Sequence, residues 1–512
     1  MNEFASTQKL IGALTAWDLL IVAGSVAALF VIAYAAGRRE RDTRDFFLGG
    51  RRVPALIACL SFVATEVSAV SLIANPATGY AENLNYLQFF IGSAASKLFV
   101  AFLFIPVFYT SNCTSIYEFL RHRFGPSTQY AGSIFFFISR LIGSGVRLYA
   151  ACMAVAIIFG GRGDSSDGSL QWTLVAFTAV SIAFIAFGGI KAVVWTGAYE
   201  TAVFYLAGGA VAVYIICQIG SGWGDAWHAA AAAGRLSVFN FTFDLNNPTT
   251  FWAGAANAFF VGLAVFGTDQ ELVQRLLTVE TRKSSQRAML GTILAALPTV
   301  VIYLGLGTLL FMFYHSRPQW IAPQAKSVLP QFIVTQLPAG LKGLMLAAII
   351  LASIDSPLSS LSSSFVSDIY RPLIRKTAGD RHYLWVSRAS VAGFGLLLIG
   401  IALACIPITN ILWFAFQMIS ITGGSMLGIF LLGLLTRRPG GWGNVVAMIV
   451  SAAGVAAYLI ASHSDHPPQW LPRIAWTWLI VIGTATTFTL AYLLSPGSPP
   501  APHSRTVPAS TH

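Results

Sequence analysis

The chain has 512 residues, 56% of them hydrophobic and 10% charged, with a formal net charge of +11. Soluble domains carry about 25% charged residues, so the composition excludes a soluble enzyme or nucleic-acid-binding domain and requires a polytopic membrane protein. The positive excess then calls for a topological explanation before a functional one.

Apolar runs long enough to cross a bilayer as helices recur along the whole chain, at roughly 15–36, 54–80, 86–109, 130–160, 170–188, 192–218, 251–270, 288–314, 340–366, 385–405, 409–435, 441–462 and 473–494. This predicts an all-α polytopic protein with about 13 transmembrane helices. The first run has no small-residue cleavage signature and a weakly charged flank, so it reads as a permanent span and not a signal peptide. With the N-terminus outside, about 21 of the 31 Lys and Arg fall on the cytoplasmic side, among them Arg38, Arg39, Arg41, Arg44, Arg51 and Arg52 after the first span. That asymmetry sets the orientation and accounts for the net charge without a nucleic-acid partner.

Most connections are short. Three longer outside loops are expected at Gly160–Ser169, at Gly220–Thr250 with an alanine-rich surface helix, and at His315–Gly340 with an interfacial helix. The Pro/Ser-rich residues 495–512 read as a disordered cytoplasmic tail. The five cysteines lie scattered in apolar runs with no C-x-x-C, which points to small buried hydrophobes. His463, Asp465 and His466 lack the spacing of a helix-borne zinc site and read as a solvated loop.

Two segments do not fit simple packing. In the second span, "FVATEVSAVSLIANPATGY" places Glu66 at membrane depth and then meets Asn75-Pro76, followed by Gly79. A helix interrupted near the bilayer middle exposes carbonyls, as transporters require for ions and solutes, and the unwound stretch is expected near Ala64–Val67. In the ninth, "LASIDSPLSSLSSSFVSDIYRP" combines serines, Pro357 and Asp355. Hydroxyls let helices approach closely in lipid, but a carboxylate inside a span by default marks an ion or substrate pathway. Carbonyls freed by Pro357, hydroxyls and Asp355 together form a plausible cation cradle. On the fourth span, Arg140 and Arg147 are seven apart on one face. A guanidinium suits a carboxylate, so Arg147 reads as an organic-anion anchor, or else as the partner of Glu66 or Asp355; Arg140 reads alternatively as snorkelling to the membrane edge.

With these segments in view, the chain resembles the sodium:solute symporter family, which includes bacterial proline and sialic acid carriers and sodium–glucose carriers. "DFFLGGRRVP", "ATEVSAVSLIANPATGY", "FIPVFYTSNCTSIYEFLRHRFG", "GGIKAVVWTGAYE", "GTDQELVQR" and "IDSPLSSLSSSFVSDIYRP" carry the resemblance in order along nearly the whole chain. It implies a leucine-transporter (LeuT) type core of two inverted five-helix repeats, at about 54–218 and 251–435, within a transmembrane domain spanning 1–494. Sodium is the implied coupling ion, held by the carbonyls of Ala64, Val67 and Ile349, by position 352 and by the Ser353 hydroxyl. Ala352 departs from the pattern because it lacks a hydroxyl, so that a water replaces it, Ser356 contributes through a slipped register, or affinity is lower; Asp355 is the candidate for the charge missing at a second sodium position. Gly197 stands where relatives carry an aspartate for a second sodium. Ser68 and Ser71 align with solute-facing positions; Gln88, Phe259, Phe414 and Gln417 are expected pocket lining. Glu66, Asp269 and Arg275, with Gln270 and Gln274, are expected to form part of a gate.

The resulting expectation is a multi-pass cell-membrane importer that takes a small organic solute, a carboxylate, with sodium by alternating access. A proton-coupled or uncoupled carrier, or one for neutral sugars or polyols, is the alternative. No H-E-x-x-H occurs and the spans hold almost no histidine, so nothing supports an intramembrane enzyme. The small-molecule solute and the lipid bilayer are the only partners indicated, with no obligate protein partner.

Overall fold

The computed structural model describes residues 14–37, 42–111, 113–158, 168–317, 325, 328–354, 357–406, 411–462, 464, 468–469, 471–472 and 474–495. Every regular element among them is helical. Eleven helices are long and apolar enough to cross a membrane. Two further segments complete the predicted set: the interrupted Ala55–Glu66 with Ala69–Ala81, and one that includes Leu341–Ile354 and Leu358–Ser364. The fifth and sixth spans meet at Gly189, whose φ of 49° and ψ of −147° suit glycine alone. The expected surface helices form at Trp223–Ala232 and Val328–Gln336.

Loop contacts assign the connections to two opposite ends. At one, Val53 N donates to Thr278 O, Tyr109 Oη to Val279 O, and Arg123 to the carbonyls of Gly433 and Thr436. At the other, Arg235 donates to Glu82 O, Ala475 N to Leu245 O, and the amides of Gly340 and Gly343 to the buried carboxylate of Asp18. The first end is the arginine-rich one.

The helix from Ala69 runs straight through Pro76. The break falls at Val67–Ser68, beside the stretch near Ala64–Val67 where unwinding is expected, and Ser68 supplies a cap that starts a new helix. Proline removes one ladder bond, which a packed transmembrane helix tolerates, whereas an N-cap serine satisfies amides the break would otherwise strand. Around Pro76 the chain packs closely on the eighth span, Arg282–His315. A Cβ at Gly307 would run into the carbonyl of Pro76, and one at Gly79 into that of Leu304. Without a hydrophobic drive between helices in lipid, such backbone approach supplies much of the packing.

Gly307→Val is therefore expected to destabilise the protein by about 1–3 kcal/mol or more, read as a fall of several degrees in unfolding temperature in detergent. Gly305→Ala, whose Cβ meets nothing within 4 Å, should leave that temperature unchanged or slightly raised.

Candidate functional site

Two interrupted spans frame the interior. Ala55–Glu66 ends because Val67 (φ −92°, ψ 125°) and Ser68 (φ −116°, ψ 162°) are extended; Ser68 Oγ then accepts from Ser71 N at 3.3 Å. The amide of Val67 still reaches Val63 O, but a helix ending at Glu66 leaves its later carbonyls without helical donors. The seventh span, Phe251–Thr268, stops in the same way at Asp269 (φ −101°, ψ 122°). The Asp269 carboxylate caps the short helix Gln270–Leu277 by accepting from Glu271 N at 2.9 Å.

Between these breaks lies a cavity of about 340 Å³. The second span contributes Glu66, Ser71 and Asn75, the third Ser93 and Lys97, the fourth Arg140 and Arg147, the seventh Asn257 and Phe266, and the eighth Thr299. Polar groups thus converge on a mostly apolar wall, the usual composition of a small-molecule site.

Two buried charge clusters border it. Lys97 Nζ donates to Glu66 Oε2 at 2.9 Å, with the lysine side chain 1% exposed and the ammonium 5.0 Å from the Phe266 ring centre. Arg140 pairs with Asp269 through one nitrogen and with Glu271 through the other, the latter at 2.6 Å. Arg275, 2% exposed, lies behind: Nη1 donates to Glu271 O at 2.7 Å and Nε to Ser61 Oγ at 3.2 Å. Removing one member of such a pair strands its partner in a low-dielectric interior, at a cost of about 3–5 kcal/mol.

Below the Arg140 cluster, toward the arginine-rich end, the structure is sealed. Gln270 accepts from Ile116 N at 2.9 Å and donates to Thr114 O at 3.0 Å. Tyr117 Oη donates to Thr268 O, and Asp368 accepts from Ser115, Gln129 and Ser133. The segment Thr114–Tyr117 is therefore clamped between the seventh and ninth spans. Beside it, burial pushes the Cys113 thiol up to about 12. Burial also raises Glu118, against the lowering effect of the amides of Thr114 and Ser115.

Several residues singled out in the sequence meet here. Val67 and Ser71 line the cavity, Glu66 and Arg147 do so as well, and Asp269 and Arg275 belong to its ion-pair floor. Glu66 takes Lys97, and Arg140 is held by two carboxylates instead of reaching the membrane edge. Gln88 is spent on the loop before the seventh span, donating to Thr249 O and accepting from Asn240 N. Phe259 packs edge-on against Phe99, and Ser68 serves as a cap. Ala64, Ile349 and Ala352 are buried, and Leu341–Ile354 packs against Ala69–Ala81. Asp355 and Ser356, with the side chains of Ser353, Phe414 and Gln417, lie outside the described residues, as do His463, Asp465, His466 and residues 496–512. Among the described residues no three His, Cys, Asp or Glu are grouped to hold a metal ion. Sequence reasoning missed Lys97, Glu271 and Asn257. A lone lysine in an apolar run was the available signal for the first.

A helical bundle with two interrupted spans facing one polar cavity is a secondary transporter of the LeuT type. The family model described as "Sodium:solute symporter family" matches residues 46–451, and the chain belongs to that family. It is thus a sodium-coupled membrane transporter and not an enzyme. It is 26% identical over 476 residues to human sodium-coupled monocarboxylate transporter 1, covering 90% of this chain and 76% of that one. It is 28% identical over 459 residues to the sodium/sialic acid symporter SiaT of Proteus mirabilis (strain HI4320), covering 85% and 88%. The fold matches a solved Na+-coupled sialic acid symporter, described as substrate-bound and outward-open, with a TM-score of 0.83 at 23% identity over 95% of this chain and 99% of that one.

If the Arg140 cluster holds this end shut, Arg140→Gln should loosen the clamp on Thr114–Tyr117 and expose Cys113. In a Cys217→Ser background, which removes the exposed cysteine, maleimide labelling of Cys113 at pH 7 is expected to be slow, because a buried thiol with a raised pKa holds little thiolate. Labelling should rise about tenfold or more in Arg140→Gln, measured by intact mass.

Proposed function

We propose that the protein imports a small organic carboxylate together with sodium, with the N-terminus outside and the arginine-rich end cytoplasmic. The observation that carries this reading is Arg147, a guanidinium on the wall of a cavity bounded by both interrupted spans. An arginine fork matches a carboxylate in geometry as well as charge. Ser71, Asn75 and Asn257 add neutral hydrogen-bonding groups around it. Two relatives, a monocarboxylate transporter and a sialic acid symporter, are by name carriers of acids.

Sodium in this reading is cargo. It binds the carbonyls of Ala64 and Val67 at the end of the broken helix, the carbonyl of Ile349 and the hydroxyl of Ser353. The hydroxyl missing at Ala352 is replaced by Ser356 or a water, and Asp355 supplies the charge that Gly197 lacks for a second sodium. The break at Val67–Ser68 supports the assignment, because it supplies carbonyls without helical donors where a small cation needs oxygen ligands. The repeats at about 54–218 and 251–435 place the two breaks at matching positions, the first span in each five-helix set. Asp269 and Glu271 on the seventh span grip Arg140 on the fourth, so inward opening requires that grip to part. Arg275, 4.0 Å from Glu271, then remains to balance the exposed acid.

The test is uptake into proteoliposomes. A sodium gradient should drive accumulation of monocarboxylates, and a proton gradient alone should not. Arg147→Gln is expected to weaken carboxylate binding at least about thirtyfold, the loss typical of a truncated buried charge contact. Ser353→Ala should raise the half-saturating sodium concentration about tenfold. Unchanged sodium dependence in Asp355→Asn would remove Asp355 from the site. Preference for neutral sugars, retained in Arg147→Gln, would overturn the carboxylate reading.

A further inference from the structure

The Glu66–Lys97 pair has hydrogen-bonding capacity that the protein does not use. A lysine ammonium carries three donors. Among the described residues Lys97 gives one to Glu66 Oε2 and turns its charge over the Phe266 ring. Glu66 accepts only that bond, through Oε2, and its Oε1 accepts from no described residue. Both side chains line the cavity, and Lys97 is almost wholly buried. Buried donors are nearly always satisfied, so a spare N–H beside a spare carboxylate oxygen marks a place where a ligand group would complete the set.

The charge balance specifies that group. The pair is already neutral. A second carboxylate of the solute beside Lys97 would also face Glu66, and a solute ammonium beside Glu66 would also face Lys97. Each leaves a net buried charge and a like-charge contact. A hydroxyl carries no charge, accepts from an ammonium and donates to a carboxylate at once. It alone uses both spare sites without disturbing the pair.

We infer that Glu66 and Lys97 form a hydroxyl-selective subsite, so that the solute is a monocarboxylate bearing a hydroxyl group away from its acid head. This rests on the carboxylate reading for its first half, with Arg147 taking the acid, and adds a specificity determinant on the second and third spans. The subsite rejects dicarboxylates and amino acids of the same length.

The test is equilibrium binding to the purified full chain in saturating sodium. The probes are straight-chain acids of three to six carbons that end, away from the carboxylate, in hydrogen, hydroxyl, ammonium or a second carboxylate. The hydroxyl end should bind about tenfold or more tighter than its hydrogen parent at one or more chain lengths, and both charged ends should bind more weakly than the hydroxyl. In Glu66→Gln with Lys97→Met, the hydroxyl advantage, read as the ratio to the parent acid in the same variant, should fall to within about twofold. Glu66→Gln alone keeps an amide oxygen for Lys97 but uncovers its charge, so preference should move about tenfold toward the dicarboxylate. A purely structural pair would not produce that gain, and it stays measurable if the double variant fails to fold. Absence of a hydroxyl advantage at every length in the wild type, or its survival in the double variant, overturns the inference. Arg147→Gln separates the two readings, since it should weaken all four acids and leave the hydroxyl-to-hydrogen ratio intact. If no acid binds, the carboxylate reading fails, and a neutral polyol against its deoxy analogue tests the subsite alone by the same ratio.

Discussion

A charge inside an apolar bundle has to be compensated where it stands, because no water reaches it and the free energy of an isolated ion there is prohibitive. That constraint shapes the centre of this molecule. Glu66, Lys97, Arg140, Asp269, Glu271 and Arg275 would each be intolerable alone, and the fold brings them into two clusters bordering one cavity. The clusters differ in which elements they join. Glu66 and Lys97 tie the second span to the third, whereas the Arg140 cluster joins the fourth span to the seventh.

The backbone is under a parallel constraint. Irregular backbone at membrane depth is tolerated only where it is buried in protein or faces a polar cavity. Both breaks meet that condition, and each carries its own cap: Ser68 for one, Asp269 for the other. Asp269 has two roles at once. Its Oδ1 holds the amide of Glu271, starting the helix Gln270–Leu277, while its Oδ2 takes Arg140. Local helix geometry and the contact between spans are thereby joined in one side chain.

Much of this was legible in the sequence. Span positions followed from hydropathy and length, which a bilayer of fixed thickness makes nearly one-dimensional. The loop helices Trp223–Ala232 and Val328–Gln336 also fell where expected. The second span was read as broken near Ala64–Val67, and the break lies at Val67–Ser68; that Pro76 would sit inside a continuous helix was not legible. Proline is visible as a residue, whereas the compensating close approach at Gly79 and Gly307 is tertiary. Partner choice was the least legible. Glu66 is 31 residues from Lys97, and Arg140 is 129 from Asp269; nothing local in the chain distinguishes those partners from Asp355 or Arg147. Gln88 shows the same limit, since a glutamine in a span looks like pocket lining until the returning loop at Asn240–Thr249 takes both ends of its amide.

The two ends of the cavity are built with different polarity, and this bears on how access alternates. Toward the end opposite the arginine-rich one, Tyr86, which lines the cavity, is 45% exposed. Toward the arginine-rich end, Gln270, Tyr117, Gln129 and Asp368 are wholly buried: Gln270 bonds to the backbone of Thr114 and Ile116, Tyr117 donates to Thr268 O, and Gln129 donates to Asp368. Sealing that end with polar side chains instead of packed leucines has a physical consequence. Hydrogen bonds and ion pairs can be exchanged for water when the end opens, so the net free energy of parting is small relative to the gross interaction. An apolar seal would lose its full burial energy on opening. In the transport cycle proposed above, a gate at this end is better made from groups that water can satisfy. The hydrophobic contacts between spans can then stay intact while the polar floor parts.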